Sequence, residues 1–111
     1  MESKSISRLR GMLGFAMRAG KVIIGTELVT VGMKRKGNDR IRIVLIAADA
    51  SDATKKKIRT KGEFYGIEVK DTELDTATLG SLLGKTFGPA TVAICDDGFA
   101  KEIRLALSDQ T

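Results

Sequence analysis

Basic residues and glycines surround a short apolar run near the beginning of the chain. The segment RAGKVIIGTE begins with Arg18, continues through Lys21 and the apolar run, and ends on Gly25, Thr26 and a glutamate. The apolar run predicts a strand, and Thr26 is predicted to be the N-cap of a helix that runs towards Lys36. A helix start presents free backbone N–H groups, and a glycine beside it lets another backbone approach closely. With Arg18 and Lys21 expected nearby, the segment has the groups needed to bind a polyanion.

Basic residues are concentrated in the first part of the chain. The 111 residues carry a formal net charge of +5 and the isoelectric point is about 9.6. Residues 1–70 contain 16 basic and 7 acidic side chains, whereas residues 71–111 contain 3 basic and 7 acidic ones. This asymmetry favours one anion-binding surface over a uniformly basic molecule. The charge distribution alone is equally consistent with a domain whose surface charges serve only to keep it in solution.

The composition argues against several classes of chemistry. The chain has no histidine and a single cysteine, which excludes histidine-based catalysis, histidine metal ligands and an internal disulfide. A zinc ion would depend almost entirely on carboxylates, which is unusual for zinc. The sequence shows no apolar segment of membrane-spanning length and no signal peptide. We therefore expect a non-catalytic cytoplasmic protein without a cofactor, a metal, a small-molecule substrate or a membrane partner.

Helix and strand patterns alternate along the chain. Strands are predicted where short apolar runs stand between turn residues, at 22–24, 41–47, 67–69 and 91–95. Helices are predicted to start at Ser5 or Ser7, at Thr26, in the segment 49–52, shortly before Leu79, and at Asp97. Gly20 and Gly66 are expected to end two of them, and Pro89 prevents the fourth from continuing. The alternation predicts one α/β domain over residues 1–111, built as a layered sandwich.

Four segments, spread over nearly the whole chain, match a known pattern in order and spacing. They are LGFAMRAGK at 13–21, GTE at 25–27, IAADAS to TKKK at 46–57, and LG to GK at 79–85 followed by DDGFA at 96–100. As an ordered set they resemble the ribosomal protein L7Ae/L30e family, and within it the bacterial YlxQ-type branch. The resemblance implies a three-layer α-β-α sandwich around a small four-stranded mixed sheet. It also implies binding of kink-turn or ribosomal RNA.

The resemblance further implies which residues contact the RNA. In the family, the start of the second helix enters the widened major groove of a kinked RNA, and a loop before the fourth helix covers an extruded nucleotide. Irregular RNA is recognised through shape and unstacked bases, because a regular A-form major groove is too narrow for side chains. The residues carried over to the groove, the phosphates and the later loop are Arg18, Lys21, Gly25, Thr26, Glu27, Leu28, Val31, Lys34, Thr76 and Ala77.

Several of these positions depart from the strong kink-turn binders of the family. Those binders carry Asn-Glu where this chain has Glu27-Leu28, and Lys where it has Val31. An ionised Glu27 only accepts hydrogen bonds, and Leu28 has no hydrogen-bonding side chain. Thr76 stands where the later loop usually has a basic residue. These differences imply an RNA specificity altered from that of a standard kink-turn binder.

Two classes of function stay open on the sequence. One is a non-catalytic RNA-binding protein, and the other is a protein-interaction module on the same fold that uses the acidic loop at 71–75. A continuous basic face with Arg18, Lys21 and Lys34 would favour RNA. The basic run Lys55–Lys57 fits an RNA contact and a solvated helix face equally well.

Overall fold

Helices and strands alternate along residues 3–108, the part of the chain that the computed structural model describes. The helices are α1 (Lys4–Arg18), α2 (Thr26–Gly32), α3 (Asp52–Tyr65), α4 (Thr76–Leu82) and α5 (Asp97–Ser108). The strands are β1 (Val22–Ile24), β2 (Ile43–Ile46), β3 (Glu68–Asp71) and β4 (Thr91–Ile94), and a short 3₁₀ turn covers Gly37–Asp39. The order of elements is the one that the sequence predicts.

The four strands form one mixed sheet in the order β1-β4-β2-β3. β4 pairs antiparallel with both β1 and β2, whereas β2 and β3 are parallel. Every residue of β2 and β4 is buried, because these central strands are covered on both faces. β1 and β3 form the two edges of the sheet.

Alternating side chains of the central strands divide the core into two halves. Ile43 and Leu45 face one cluster, built with α1, α4 and α5, while Val44 and Ile46 face a second cluster, built with α2 and α3. Helices therefore cover both faces of the sheet. The fold is an α-β-α sandwich around a four-stranded mixed sheet, as predicted.

The caps of α1 and α5 differ from the sequence prediction. α1 begins after Ser3, whose hydroxyl oxygen accepts the N–H of Ile6 at 3.1 Å, and not at Ser5 or Ser7. α5 is capped by Asp96, which accepts the N–H of Phe99 at 2.9 Å, and not by its neighbour. Asp97 lies one residue further, in the first turn, and its carboxylate pairs with Arg42 at 2.9 Å.

Several elements also differ in extent. β2 covers Ile43–Ile46, where the apolar run predicted 41–47, and β4 covers Thr91–Ile94, where it predicted 91–95. α2 ends at Gly32 and does not continue to Lys36, since Met33 forms its C-cap and Gly32 packs closely against Ile23 and Ile41. β3 covers Glu68–Asp71, where the apolar pattern predicted 67–69, because pairing with β2 extends the strand into charged residues. α3 matches the prediction: Ser51 caps its start, and Gly66 ends it in a left-handed conformation.

Candidate nucleic-acid interface

One edge of the sheet collects the starts of three helices. β1, β2 and β3 end there and β4 begins there, because Ile24 pairs with Val92 and Ile46 pairs with both Thr91 and Asp71. Each of the three strands that ends at this edge is followed by a helix: α2, α3 or α4. Residues far apart in the sequence are therefore brought together at this edge.

The segment that leads into β4 connects the starts of α2 and α4. The N–H of Gly25 donates to the carbonyl of Thr91 at 2.9 Å, and the Thr26 and Thr91 hydroxyls are hydrogen-bonded at 2.9 Å. On the other side, Gly88 packs so closely on Thr76 that an added Cβ would lie 2.7 Å from the Thr76 carbonyl oxygen. We call the resulting patch the α2–α4 surface, made of Gly25, Thr26, Glu27, Leu28, Val31, Thr76 and Ala77.

The start of α2 differs from the prediction in its cap. Gly25 is the N-cap residue, with φ of 103°, and no side chain there accepts an N–H of the first turn. Only glycine adopts this φ at little cost, so the residue is required by the turn. Thr26 is the first helical residue, and its hydroxyl is turned towards the buried Thr91. The predicted capping role of Thr26 is wrong for this reason.

The exposed side of α2 is more apolar than a solvated helix face usually is. Leu28 is 64% exposed and Val31 is 68% exposed, while Val29 between them is fully buried. Beside them lies a groove of about 610 Å³ between α2 and the edge strand β1. Its walls are formed by Val22, Ile23, Ile24, Leu28, Val31, Gly32, Lys34 and Arg35. The groove joins an apolar floor to two cationic side chains.

The start of α4 is held by two carboxylates. Asp75 Oδ1 accepts the N–H of Thr78 at 2.7 Å, and the hydrogen bonds from Thr78 lower the pKa of Asp75 below its ordinary value. The two carboxylate oxygens of Asp49 accept the N–H and the hydroxyl of Thr76, at 2.8 and 3.0 Å. Thr76 is thus half-buried, and its N–H and hydroxyl are both hydrogen-bonded within the protein, whereas Ala77 is exposed.

Arg18 and Lys21 do not lie beside the start of α2. Both precede β1 and therefore lie at the opposite end of that strand from Gly25. The Arg18 guanidinium carbon is 4.9 Å from the centroid of the Phe15 ring, and Lys21 Nζ is 3.3 Å from Asp39 Oδ1. The expectation that these two cations neighbour the helix start is wrong, because a three-residue strand separates them from it.

Lys34 differs from these two cations. It is exposed just beyond the end of α2 and forms no ion pair with the residues described, 3–108. The three predicted cations are therefore in different environments, and Lys34 alone borders the groove beside α2. Whether each of them contacts a ligand stays a prediction.

Sequence reasoning missed four contributors to this region. Val22 and Ile24, which belong to a predicted strand, line the groove, and so does Arg35. The signal for them was the short apolar run bounded by glycines, which a three-residue edge strand leaves partly uncovered. Asp49 was assigned to a turn, and its contact with Thr76 spans 27 positions of the sequence, beyond the range of local patterns.

Reactive side chains offer little chemistry in the described part of the chain. Cys95 is buried, and burial raises the pKa of its thiol, although the nearby Arg35 guanidinium opposes that shift. Over residues 3–108 no group of three or more histidine, cysteine or acidic residues is arranged to hold a metal ion. None of the described helices is both long and apolar enough to cross a membrane.

Comparison with known proteins identifies the class of this fold. The model of the Ribosomal protein L7Ae/L30e/S12e/Gadd45 family matches residues 7–104. The chain therefore belongs to this family, which confirms the resemblance drawn from the sequence.

Two bacterial relatives match over most of their lengths. A protein named RNA-binding protein YlxQ from Enterococcus faecium is 38% identical over 106 residues, covering 94% of this chain and 95% of the relative. A protein of the same name from Bacillus subtilis (strain 168) is 39% identical over 92 residues, covering 83% of this chain and 87% of the relative. The YlxQ-type resemblance is thus confirmed as well.

Solved structures share the fold. A protein of unknown function from Bacillus halodurans C superposes with a TM-score of 0.79 at 29% identity, covering 96% of this chain and 99% of the other. The Giardia lamblia 15.5kD RNA binding protein superposes with a TM-score of 0.70 at 14% identity, covering 98% of this chain and 89% of the other. The second likeness supports the fold alone.

Proposed function

We propose that this chain is a non-catalytic, cytoplasmic RNA-binding protein. Its ligand is a structured RNA of the kink-turn or ribosomal kind, and the contact is made by the N-terminal end of α2 together with the start of α4. The observation that carries the proposal is the α2–α4 surface, where Gly25–Leu28 and Thr76–Ala77 border the same segment leading into β4 although about 50 positions separate them in the sequence. The YlxQ relatives, named RNA-binding proteins, support the same ligand class.

The chemistry of the surface suits an irregular RNA. Gly25 has no side chain, so a bent backbone or an unstacked base approaches the turn closely. Leu28 and Val31 offer apolar area to the faces of bases and riboses, and Lys34 and Arg35 offer charge to phosphates beside them. Unpaired nucleotides expose both kinds of group at once, which a regular duplex does not.

The same surface predicts modest selectivity among folded RNAs. Glu27 and Leu28 are exposed at the helix start, and neither supplies a side-chain donor to a base edge. Lys21 is paired with Asp39, so its charge is partly neutralised within the protein. Phosphate and apolar contacts then provide most of the affinity, and phosphate contacts carry little sequence information.

RNA titrations at two salt concentrations test the proposal. The probes are a kink-turn RNA and the same RNA with its G·A pairs replaced by Watson–Crick pairs. We expect binding at low salt that weakens steeply near physiological salt, with a small preference for the kink-turn. Lys34→Ala is expected to weaken binding to both RNAs and to lower the slope of log affinity against log salt by about 1.

A matched control separates local contact from general charge. Lys101→Ala removes the same charge from an exposed position of α5, which packs on the other face of the sheet. It should leave the affinity close to that of the parent. Absence of binding to either RNA at low salt would overturn the proposal and leave the protein-interaction alternative, which uses the acidic loop at 71–75.

A further inference from the structure

The outer face of α3 is basic and is not used by the α2–α4 surface. Helical spacing places Lys57 and Lys61 one turn apart, with Lys56 beside them. Lys56 and Lys57 are exposed and Lys61 is half-exposed, and none of the three forms an ion pair with another described residue, 3–108. Their charge is therefore available to a ligand.

The neighbouring cations of α3 are arranged differently. Lys55 Nζ donates to the carbonyl of Ala48 at 2.9 Å, and Arg59 is paired with the carboxylate of Asp71. The run of basic residues noted in the sequence is thus divided into internal contacts and an outward-facing group.

An exposed aromatic ring adjoins the outward lysines. Phe64 is 81% exposed, the highest value among the large hydrophobic side chains described. It lies seven positions after Lys57, on the same side of the helix. The Phe64 and Tyr65 rings meet edge to face, with centroids 4.9 Å apart and planes at 86°, which limits the freedom of the Phe64 side chain.

We propose that this α3 outer face, made of Lys56, Lys57, Lys61 and Phe64, binds single-stranded RNA that flanks the folded RNA on the α2–α4 surface. The lysines contact successive phosphates and one base stacks on Phe64. Positive groups beside an exposed ring are the combination by which proteins hold single strands without reading their sequence. This inference rests on the proposed function, since the folded RNA brings its flanking strand to α3.

The position of α3 makes the continuous path possible. α3 begins at the same edge of the sheet as α2, and the two helices pack side by side on one face. Its 14 residues extend about 21 Å away from that edge. A strand that leaves the α2–α4 surface along α3 reaches the lysines first and Phe64 last.

The test compares a folded RNA with and without a single-stranded extension. A minimal kink-turn RNA is titrated beside versions that carry about eight uridines at the 5′ or the 3′ end, within the range of single-strand site sizes. For the parent we expect one of the extended RNAs to bind about tenfold more tightly than the minimal RNA. A Lys57→Gln/Lys61→Gln variant should lose this gain and keep the affinity for the minimal RNA.

A charge-matched variant and a ring series refine the test. Lys4→Gln/Lys101→Gln removes two charges from α1 and α5, on the other face of the sheet, and should keep the gain. Phe64→Ala should lose most of the gain, whereas Phe64→Trp should keep it. Since the chain has no tryptophan, the indole that Phe64→Trp introduces is a single fluorophore, and stacking of a base should quench its emission only with the extended RNA.

The outcomes separate the two proposals. If the parent binds the minimal RNA and neither extension changes its affinity, the α3 inference fails while the proposed function stands. If the gain survives in both Lys57→Gln/Lys61→Gln and Phe64→Ala, the flanking strand lies elsewhere and the inference also fails. If no RNA binds, the proposed function itself is wrong.

Discussion

The starts of α2 and α4 lie at the same edge of the sheet and belong to helices of seven residues each, yet they are built in different ways. At α4, Asp75 accepts the Thr78 N–H and Asp49 accepts both donors of Thr76. At α2, the N-cap is Gly25, and no side chain accepts an N–H of the first turn. At α4, side chains of the protein accept N–H groups of the first turn. At α2, these N–H groups are left to solvent or to a ligand.

The contrast extends to the side chains around each start. Gly80 and Gly88 let the loop before β4 pack directly on α4, with an added Cβ at Gly80 only 2.1 Å from the Phe87 carbonyl oxygen. Around α2, Leu28 and Val31 instead expose apolar area. The start of α4 therefore stabilises the edge of the sheet in addition to its proposed RNA contact, whereas the start of α2 mainly presents a surface. Substitutions at the two starts should separate stability from RNA binding.

The largest effect is expected at Gly80. Gly80→Ala forces the Phe87 backbone away from α4, and overpacking of this kind costs up to about 3 kcal/mol of unfolding free energy. Gly11→Ala is the matched control, because Gly11 lies within α1 and an added Cβ there meets no atom within 4 Å. That change should stabilise by about 0.5–1 kcal/mol. Denaturant unfolding measures both, and equal stabilities would show that the loop before β4 does not hold α4.

Removing a helix cap should lower the stability by a smaller amount, and the effect at Ser51 should differ from the effect at Asp75 in its pH dependence. Ser51→Ala removes the hydroxyl that caps α3 and should cost about 1 kcal/mol at any pH, because the cap is neutral. Asp75→Ala should destabilise at pH 7. Since the folded pKa of Asp75 is lowered, its stabilisation is present above the ordinary aspartate pKa and is lost as the pH falls through the lowered value.

Thermal unfolding at pH 7 and at about pH 3 tests this difference. The gap between the parent and Asp75→Ala should narrow at the lower pH, while the gap between the parent and Ser51→Ala stays the same. A gap for Asp75→Ala that is independent of pH would mean that its carboxylate charge does not contribute to the α4 start.

Local patterns were sufficient for elements whose boundaries are set by their own residues. The run of apolar residues at 41–47 predicted a strand, and the fully buried β2 lies within it at Ile43–Ile46. Ser51 and Gly66 indicated where α3 begins and ends, because a hydroxyl cap and a left-handed glycine act within one turn. Elements of this kind follow from the sequence almost completely.

Features that depend on distant partners were beyond those patterns. Thr26 has the residue type of an N-cap, but its hydroxyl bonds to Thr91, 65 positions away. The cap of α5 is Asp96, whereas the neighbouring Asp97 pairs with Arg42, and local sequence does not distinguish two adjacent aspartates. The same limit applies to charge. The sequence predicted Lys21 as a cation for the ligand, but in the fold it forms an ion pair with Asp39.

The smallest effect on stability, and the sharpest on recognition, is expected for Glu27→Asn with Leu28→Glu and Val31→Lys. All three positions are exposed on the open start of α2, so the free energy of unfolding should change by no more than about 0.5 kcal/mol. The new amide and lysine supply donors to base edges and phosphates, and a good base contact is worth about 1–3 kcal/mol of discrimination. The preference for a kink-turn over its Watson–Crick-paired counterpart should therefore rise by about tenfold.

A variant of matched charge shows whether this gain is recognition or general attraction. The triple change adds one positive charge, and so does Leu105→Lys on α5, where Leu105 is 45% exposed on the other face of the sheet. Added attraction alone would tighten both RNAs alike and leave their affinity ratio unchanged. A parent that already prefers the kink-turn by about a hundredfold would contradict the expectation, because discrimination of that size needs base contacts that Glu27 and Leu28 do not supply through their side chains. The backbone N–H groups at the uncapped start of α2 would then be the remaining donors on this surface, which Gly25→Ala, strained at a φ of 103°, should disrupt while Gly11→Ala does not.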